Sequence, residues 1–243
     1  ARCSVEVRTG CTVQTLSQSR GGYVVLFSNA DGADESLRAD AVVCAMGGSA
    51  GPQFGTDGFG PRFAAQCGGA LAPLYPCLTA LQCAKPDKRL AGIRAKAHAA
   101  LYSGSTLLAD YRGEVQFTDY GLSGICIMDL TRHLTPAVKS PAVELDLFPD
   151  VAEDALSVLF AARVPLLPGD TAADFWLGLL NAKLGRALWQ AAGLPDADVH
   201  RLSAAQWQKL AHIAKHWRFD GLTPCGWKQA QVTGGGLALT ELE

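Results

Sequence analysis

Gly47-Gly48-Ser49-Ala50-Gly51 fits the pattern G-x-S-x-G, in which a serine on a sharp turn between a strand and a helix attacks an acyl carbon. The apolar run 41–46 supplies a strand before it. The sequence after it does not supply the helix whose N-terminus would hold the oxyanion, because Pro52 and glycines at 51, 55, 58 and 60 interrupt the chain. A serine hydrolase using Ser49 is therefore the minor alternative, and a glycine-rich turn at a strand end is the simpler reading. His212 and His216 are four residues apart, which puts two imidazoles on one helix face as a metal site needs. Positions 213 and 214 are Ile and Ala, and no third ligand shows. No metal is assigned, and the pair reads as two surface histidines. Gly58-Phe59-Gly60-Pro61-Arg62-Phe63 is the nearest string to a dinucleotide fingerprint, but Phe63 is too large for the final, closely packed position. Thr118-Asp119-Tyr120-Gly121-Leu122-Ser123-Gly124 reads as a tight turn between strands.

Composition limits what these residues can serve. The chain has 243 residues, 49% hydrophobic and 18% charged, enough for a sizeable core and too apolar for a disordered tail. Lys and Arg total 21 against 23 Asp and Glu, a net charge of −2 with no like-charge block, which argues against nucleic acid and anionic membrane as partners. The run 41–46 falls far short of the roughly 18 apolar residues of a membrane span. Eight cysteines occur without a CxxC pair, mostly inside apolar runs, so a reducing cytoplasm is expected.

The elements that would position these residues change character along the chain. Residues 1–46 read as short strands, with turns at Gly21-Gly22 and Asn29-Ala30-Asp31-Gly32 and a last strand, 39–46, covered on both faces because it lacks alternation. A short helix is expected over 62–67. Strands return over 93–102, 105–110, 114–118 and 144–148, with a turn at Tyr111-Arg112-Gly113. From 150 to 217 the period becomes helical. One helix ends near Arg163, a long one capped by Thr171 runs through Leu188, and one capped by Ser203 carries Trp207, Leu210, Ile213 and Trp217 on one stripe. Trp176, Trp189, Trp207 and Trp217 fall in this bundle and read as core. A strand over 229–233 then leads into Gly234-Gly235-Gly236. The expected fold class is α+β: an inserted domain of antiparallel sheet or barrel plus a small helical bundle, nested in an outer domain.

Three segments together resemble one family. Ala45-Met46-Gly47-Gly48 with Pro52, Gly55, Gly58, Gly60 and Ala64 is similar to A-T-G-G-x-S-x-P-x-T-G-S-T-G-D-G. The run from Phe117 through Gly124 is similar to F-T-H-x-G-L-S-G-P, and Ala230-Gln231-Val232-Thr233-Gly234-Gly235-Gly236 to A-x-V-T-x-G-G-V. These are motifs of the FAD-dependent flavoproteins of the aminoacetone oxidase type, also called BaiN-like or YhiN-like NAD(P)/FAD-dependent oxidoreductases. The resemblance implies a partial FAD-binding, Rossmann-like domain over 1–75, an inserted domain over 76–228 (β-rich 76–149, helical 150–221) and a return strand over 229–243. The family's N-terminal G-x-G-x-x-G unit and C-terminal flavin segment have no counterpart here, so an internal fragment that holds FAD weakly is expected, the insert capping the substrate cleft.

By resemblance, Val13 approaches the adenine, while Ala45, Gly47, Gly48, Thr233, Gly234 and Gly235 line the FAD cleft, with NAD(P)H as a possible electron donor. Glycine suits such positions because a side chain would hold the backbone away from the cofactor. Met46, Phe59, Asp119 and Ile125 depart from the family's Thr, Asp, His and Pro. No catalytic acid or base is assigned. The competing reading is a non-catalytic binding module without redox activity.

Overall fold

The computed structural model describes residues 4–66, 68–195, 199–238 and 240. Strands β1 (Thr12–Ser19), β2 (Gly22–Ser28) and β3 (Asp34–Ala39), joined at the two expected turns, form an antiparallel meander. Asn29 makes its second turn, the side-chain Oδ1 accepting from the amides of Asp31 and Ala33. The apolar run 41–46 is not the expected buried strand: it pairs with no described strand, and Val43 is 89% exposed. Such a run makes a strand only where neighbours take up its amides and carbonyls and cover both faces.

Helix α1 (Phe59–Gln66) begins three residues earlier than the sequence suggests, directly behind Gly58 at φ +74°; Cys67, the expected end, lies outside the described residues. It leads into β4 (Leu71–Cys77), after which the chain builds its largest sheet. The strands and helices of this region are β5 (Leu81–Gln82), β6 (Arg94–Ser103), β7 (Thr106–Phe117), β8 (Gly121–Ser123), α2 (Ile125–Leu130), β9 (Pro141–Asp146), α3 (Glu153–Arg163), α4 (Ala172–Phe175), α5 (Ala182–Ala191), α6 (Ala204–Lys215), β10 (Trp217–Phe219) and β11 (Thr223–Pro224). Seven strands pair antiparallel in the order β10-β9-β6-β7-β8-β5-β11. The two edges, β10 and β11, are consecutive in sequence and joined by residues 220–222, so the sheet must curl. Phe117 of β7 confirms the curvature: its ring lies 5.7 Å from Trp217 and 6.4 Å from Phe219 of β10, three places away in the order.

Two sequence expectations fail here for local reasons. Tyr111-Arg112-Gly113 is not a turn but the middle of β7, with Gly113 opposite Ala97; the hairpin turns at Gly104, φ +59°. Gly113 serves close packing, since a Cβ there would sit 2.9 Å from Cγ2 of Ile125 at the start of α2. The long helix from Thr171 is likewise split in two. Gly178, at φ +75°, breaks it, and Asn181 restarts it by accepting from the amide of Lys183. The Ser203 cap does hold, in a reciprocal bond with Gln206, but α6 ends at Lys215 and leaves Trp217 on a strand.

Trp176, Trp189 and Trp207 are buried as expected, around Phe175 and Phe160. Barrel and bundle share this core: Leu81, Leu101, Val115 and Leu145 of the sheet belong to the same cluster of buried side chains as Phe160, Leu184 and Leu210 of the helices. After the bundle the chain returns as β12 (Val232–Leu237), which pairs antiparallel with β4. The fold is mixed α/β with antiparallel sheets, and every described ladder is antiparallel. The Rossmann-like part of the expectation thus has no parallel ladder among the described residues. No described helix is long and apolar enough to cross a membrane.

Candidate functional site

The glycine-rich segment meets β12 across 184 positions of sequence. Oγ1 of Thr233 accepts from the amide of Ser49 at 2.7 Å and from that of Ala50 at 3.1 Å. The amide of Gly51 donates to the Trp227 carbonyl, and the Gln53 side chain to the Lys228 carbonyl, both at 2.9 Å. The loop is therefore tied to the returning chain at four points. Thr56 Oγ1 donates to the Gly48 carbonyl, and Arg62 pairs with Asp57 at 2.6 Å at the start of α1.

Several glycines here answer to packing inside the chain. A Cβ on Gly48 would fall 2.3 Å from Thr233 Oγ1; one on Gly234 would enter the Tyr75 ring at 2.5 Å; one on Gly235 would strike the Pro73 carbonyl at 2.1 Å. Gly60 presses on the Gly47 carbonyl in the same way. Gly47 differs. Like Gly55, it is exposed at positive φ (+72° and +97°), and nothing lies within 4 Å of where a Cβ would project, so its backbone is open to solvent.

The sequence-derived site residues thus divide. Gly48 and Thr233 are in contact, with Gly47 beside them and Gly234 and Gly235 on the same strand as Thr233. Val13 stands on β1 opposite Phe27, outside these contacts, and Ala45 lies in the exposed run before the loop. Ser49 is followed by a single 3-10 turn over Pro52–Phe54, entered through Gly51 at φ +68°, so the strand-turn-helix geometry of a hydrolase elbow is not formed. A cavity of about 510 Å³ lies next to this region, walled by Leu16, Tyr23, Val42, Phe63 and Leu237.

A second concavity, about 390 Å³, opens on the barrel and takes in the other glycine motif. Phe117, Thr118 and Leu122 face Trp217 and Phe219 across it, with Lys85, Asp87, Arg218 and Asp220 also on its wall. Thr118 shapes this rim: its amide donates to the Gly121 carbonyl at 2.8 Å and its Oγ1 accepts from the Gly121 amide at 2.9 Å. Tyr75 lays its ring on Gly234 and donates its hydroxyl to the Arg132 carbonyl at 3.0 Å. The Arg132 guanidinium in turn donates to Tyr111 Oη at 3.0 Å, and that oxygen lies 2.9 Å from Nε2 of His133. No sequence spacing announced this chain, because its members come from four separate elements.

The histidine pair also has partners that the sequence hid. Glu153, in the first turn of α3, lies 3.1 Å from both His212 Nδ1 and His216 Nε2, and Glu144 of β9 lies 2.9 Å from His216 Nδ1. Burial works against a charge on His216, but the hydrogen bonds and charges of Glu144 and Glu153 outweigh it and raise its affinity for a proton.

Residues 75–232 match the family described as HI0933-like protein barrel and H2TH domain. The chain belongs to this family. It is the family of BaiN- and YhiN-type flavoproteins whose motifs the glycine segments resemble. Among curated proteins, the chain is 31% identical over 246 residues to the 3-dehydro-bile acid delta(4,6)-reductase of Clostridium scindens, covering 99% of this chain and 59% of that protein. It is 26% identical over 211 residues to the ribosomal RNA dihydrouridine synthase of Escherichia coli, covering 85% and 50%. The corresponding synthase of Haemophilus influenzae is 25% identical over 202 residues, covering 81% and 47%. The chain therefore spans between about half and three-fifths of the length of these curated relatives.

The Thr233 anchor yields a direct expectation. Thr233→Val keeps the shape but removes the acceptor for two partly buried amides, which costs about 1–3 kcal/mol. Hydrogen exchange read by NMR should show faster exchange at Ser49 and Ala50, while Leu145 in the barrel keeps its protection. Unchanged rates at both amides would mean that the loop is held by something else.

Proposed function

We propose that this chain is the central part of an FAD-dependent reductase: residues 1–75 and 229–243 belong to the flavin-binding domain, and the barrel and bundle over 76–228 cap the substrate cleft. The observation that carries the reading is the Thr233 anchor, by which the strand returning from the bundle fixes the loop containing Gly47. Gly47, with its backbone open to solvent, and the adjoining Gly48 and Thr233-Gly234-Gly235 would hold the flavin. In this reading Val13 lies on the adenine side. Bound flavin supplies a ring that takes up and gives back a hydride.

The activity names of the relatives share one reaction type, saturation of a carbon–carbon double bond. A hydride adds to such a bond only where the charge it leaves can spread onto a neighbouring carbonyl, so we take an α,β-unsaturated carbonyl compound as the substrate class. The β carbon receives the hydride, the α carbon a proton, and NAD(P)H is the source of the electron pair. A small molecule is favoured over RNA by the balance of 21 basic against 23 acidic residues and by the higher identity to the bile acid reductase. The Thr118–Phe219 concavity, lined by both aromatic and charged side chains, suits a compact carbocyclic substrate that carries a polar group.

FAD titration followed by absorbance and fluorescence, on this chain and on one extended to the length of the relatives, tests the reading. The extended chain should bind FAD tightly and this one weakly; the bound flavin, once reduced, should be reoxidised by a conjugated enone and not by uridine in RNA. If neither chain binds FAD, the flavoprotein reading falls and a non-catalytic binding module replaces it. Reoxidation by RNA alone would reverse the choice of substrate.

A further inference from the structure

We propose that Glu153, His212 and His216 form a binding site for one divalent cation of the zinc type, with Glu144 holding His216 in the ligating orientation. One ligand atom of each of the three residues lies within 4.8 Å of the others. The fold makes this arrangement: His212 in the last turn of α6 and His216, the residue that caps it, hold their ring centres 4.9 Å apart, and α3, packed against α6, brings Glu153 to both. Its two carboxylate oxygens already stand 3.1 Å from Nδ1 of His212 and from Nε2 of His216. Zinc bonds of about 2.0–2.1 Å in a tetrahedron separate neighbouring ligand atoms by about 3.3 Å, so small side-chain rotations would admit the ion.

The environment of His216 is that of a metal ligand. Nδ1 of His216 lies 2.9 Å from Glu144 and Nε2 lies 3.1 Å from Glu153. An ion that displaces the proton from Nε2 would leave Nδ1–H donating to Glu144, and a carboxylate behind the imidazole is the usual support of a ligating histidine. Two imidazoles and one carboxylate favour zinc and its transition-metal neighbours over magnesium or calcium. The nearest cation in sequence, Lys215, is engaged elsewhere, with Asp146 at 2.6 Å and with the carbonyls of Phe148 and Val151. Both histidines are exposed, so a fourth position remains for water or an exchangeable ligand. A bound ion would clamp the start of α3 to the end of α6, with Glu144 linking the clamp to β9 of the barrel.

Calorimetric titration with zinc chloride, and with cobalt chloride followed by visible absorbance, tests the site. One ion per chain is expected, with weak cobalt bands of nitrogen and oxygen ligation and no thiolate charge-transfer band. The double variant His212→Ala/His216→Ala, checked for folding by circular dichroism, should lose at least about 100-fold in affinity, and Glu144→Gln about 10-fold. Cys44→Ser should change nothing. No saturable binding, equal affinity in the double variant, or a thiolate band that Cys44→Ser removes would each overturn the proposal.

Discussion

Gly124→Ala is expected to destabilise the chain by about 3 kcal/mol or more, through two separate causes. Gly124 has φ +95° and ψ 166°, a region that residues with a Cβ hardly visit. A Cβ there would also lie 2.3 Å from the Glu114 carbonyl oxygen, 2.8 Å from the Gln116 amide nitrogen and 3.0 Å from the Val115 carbonyl carbon. All three are backbone atoms of β7 and cannot rotate away. The residue is the hinge on which the chain leaves β8 and starts α2, whose Cys126, Ile127 and Leu130 are buried in the shared core. Urea unfolding followed by tryptophan fluorescence measures the loss, with Ser123→Ala as a neighbour that should stay within about 1 kcal/mol of the parent. A Gly124→Ala midpoint equal to that of Ser123→Ala would show that β7 yields at this point.

The second large effect is expected at Phe175. Its ring is fully buried and stands 4.9 Å from Trp176, 5.4 Å from Phe160, 5.8 Å from Trp189 and 5.1 Å from Trp207, so it touches helical segments on every side. Phe175→Ala removes that centre and leaves a cavity between aromatic side chains, at a cost of about 3–5 kcal/mol. Phe175→Leu, which keeps most of the volume, should cost less than half as much. Because the barrel and the bundle bury their side chains in one cluster, far-UV circular dichroism and fluorescence should report a single transition in both variants. Two separated transitions in Phe175→Ala would show that the bundle melts independently of the barrel.

Legibility in the sequence followed the range of the interactions. The capping of α6 by Ser203, the Asn29 turn and the helix ending at Arg163 depend on residues a few positions apart, and all could be read directly. The burial of Trp176, Trp189 and Trp207 could be read from three large aromatic side chains falling within the helical region. Gly113 misled because glycine marks both turns and close contacts, and only the docking of α2 on β7 tells the two apart. Likewise, Val42 and Val43 suggest a covered strand by composition, but pairing depends on neighbours, and no described strand stands beside them.

The candidate sites divide along the same line. Family membership could be read from the order of three glycine motifs, because glycine is demanded wherever backbone must approach closely, and the demand leaves its mark at each position separately. By itself the sequence determined that much, together with the helical bundle and the strand-rich region before it. Tertiary structure alone decided that Thr233 holds Ser49 and Ala50 from 184 and 183 residues away, and that Glu153 reaches His212 and His216 across 59 and 63. A hydrogen bond or a set of ligand atoms requires a separation of about 3 Å in space, and no local pattern of residue types records which distant segments the fold will bring to that distance.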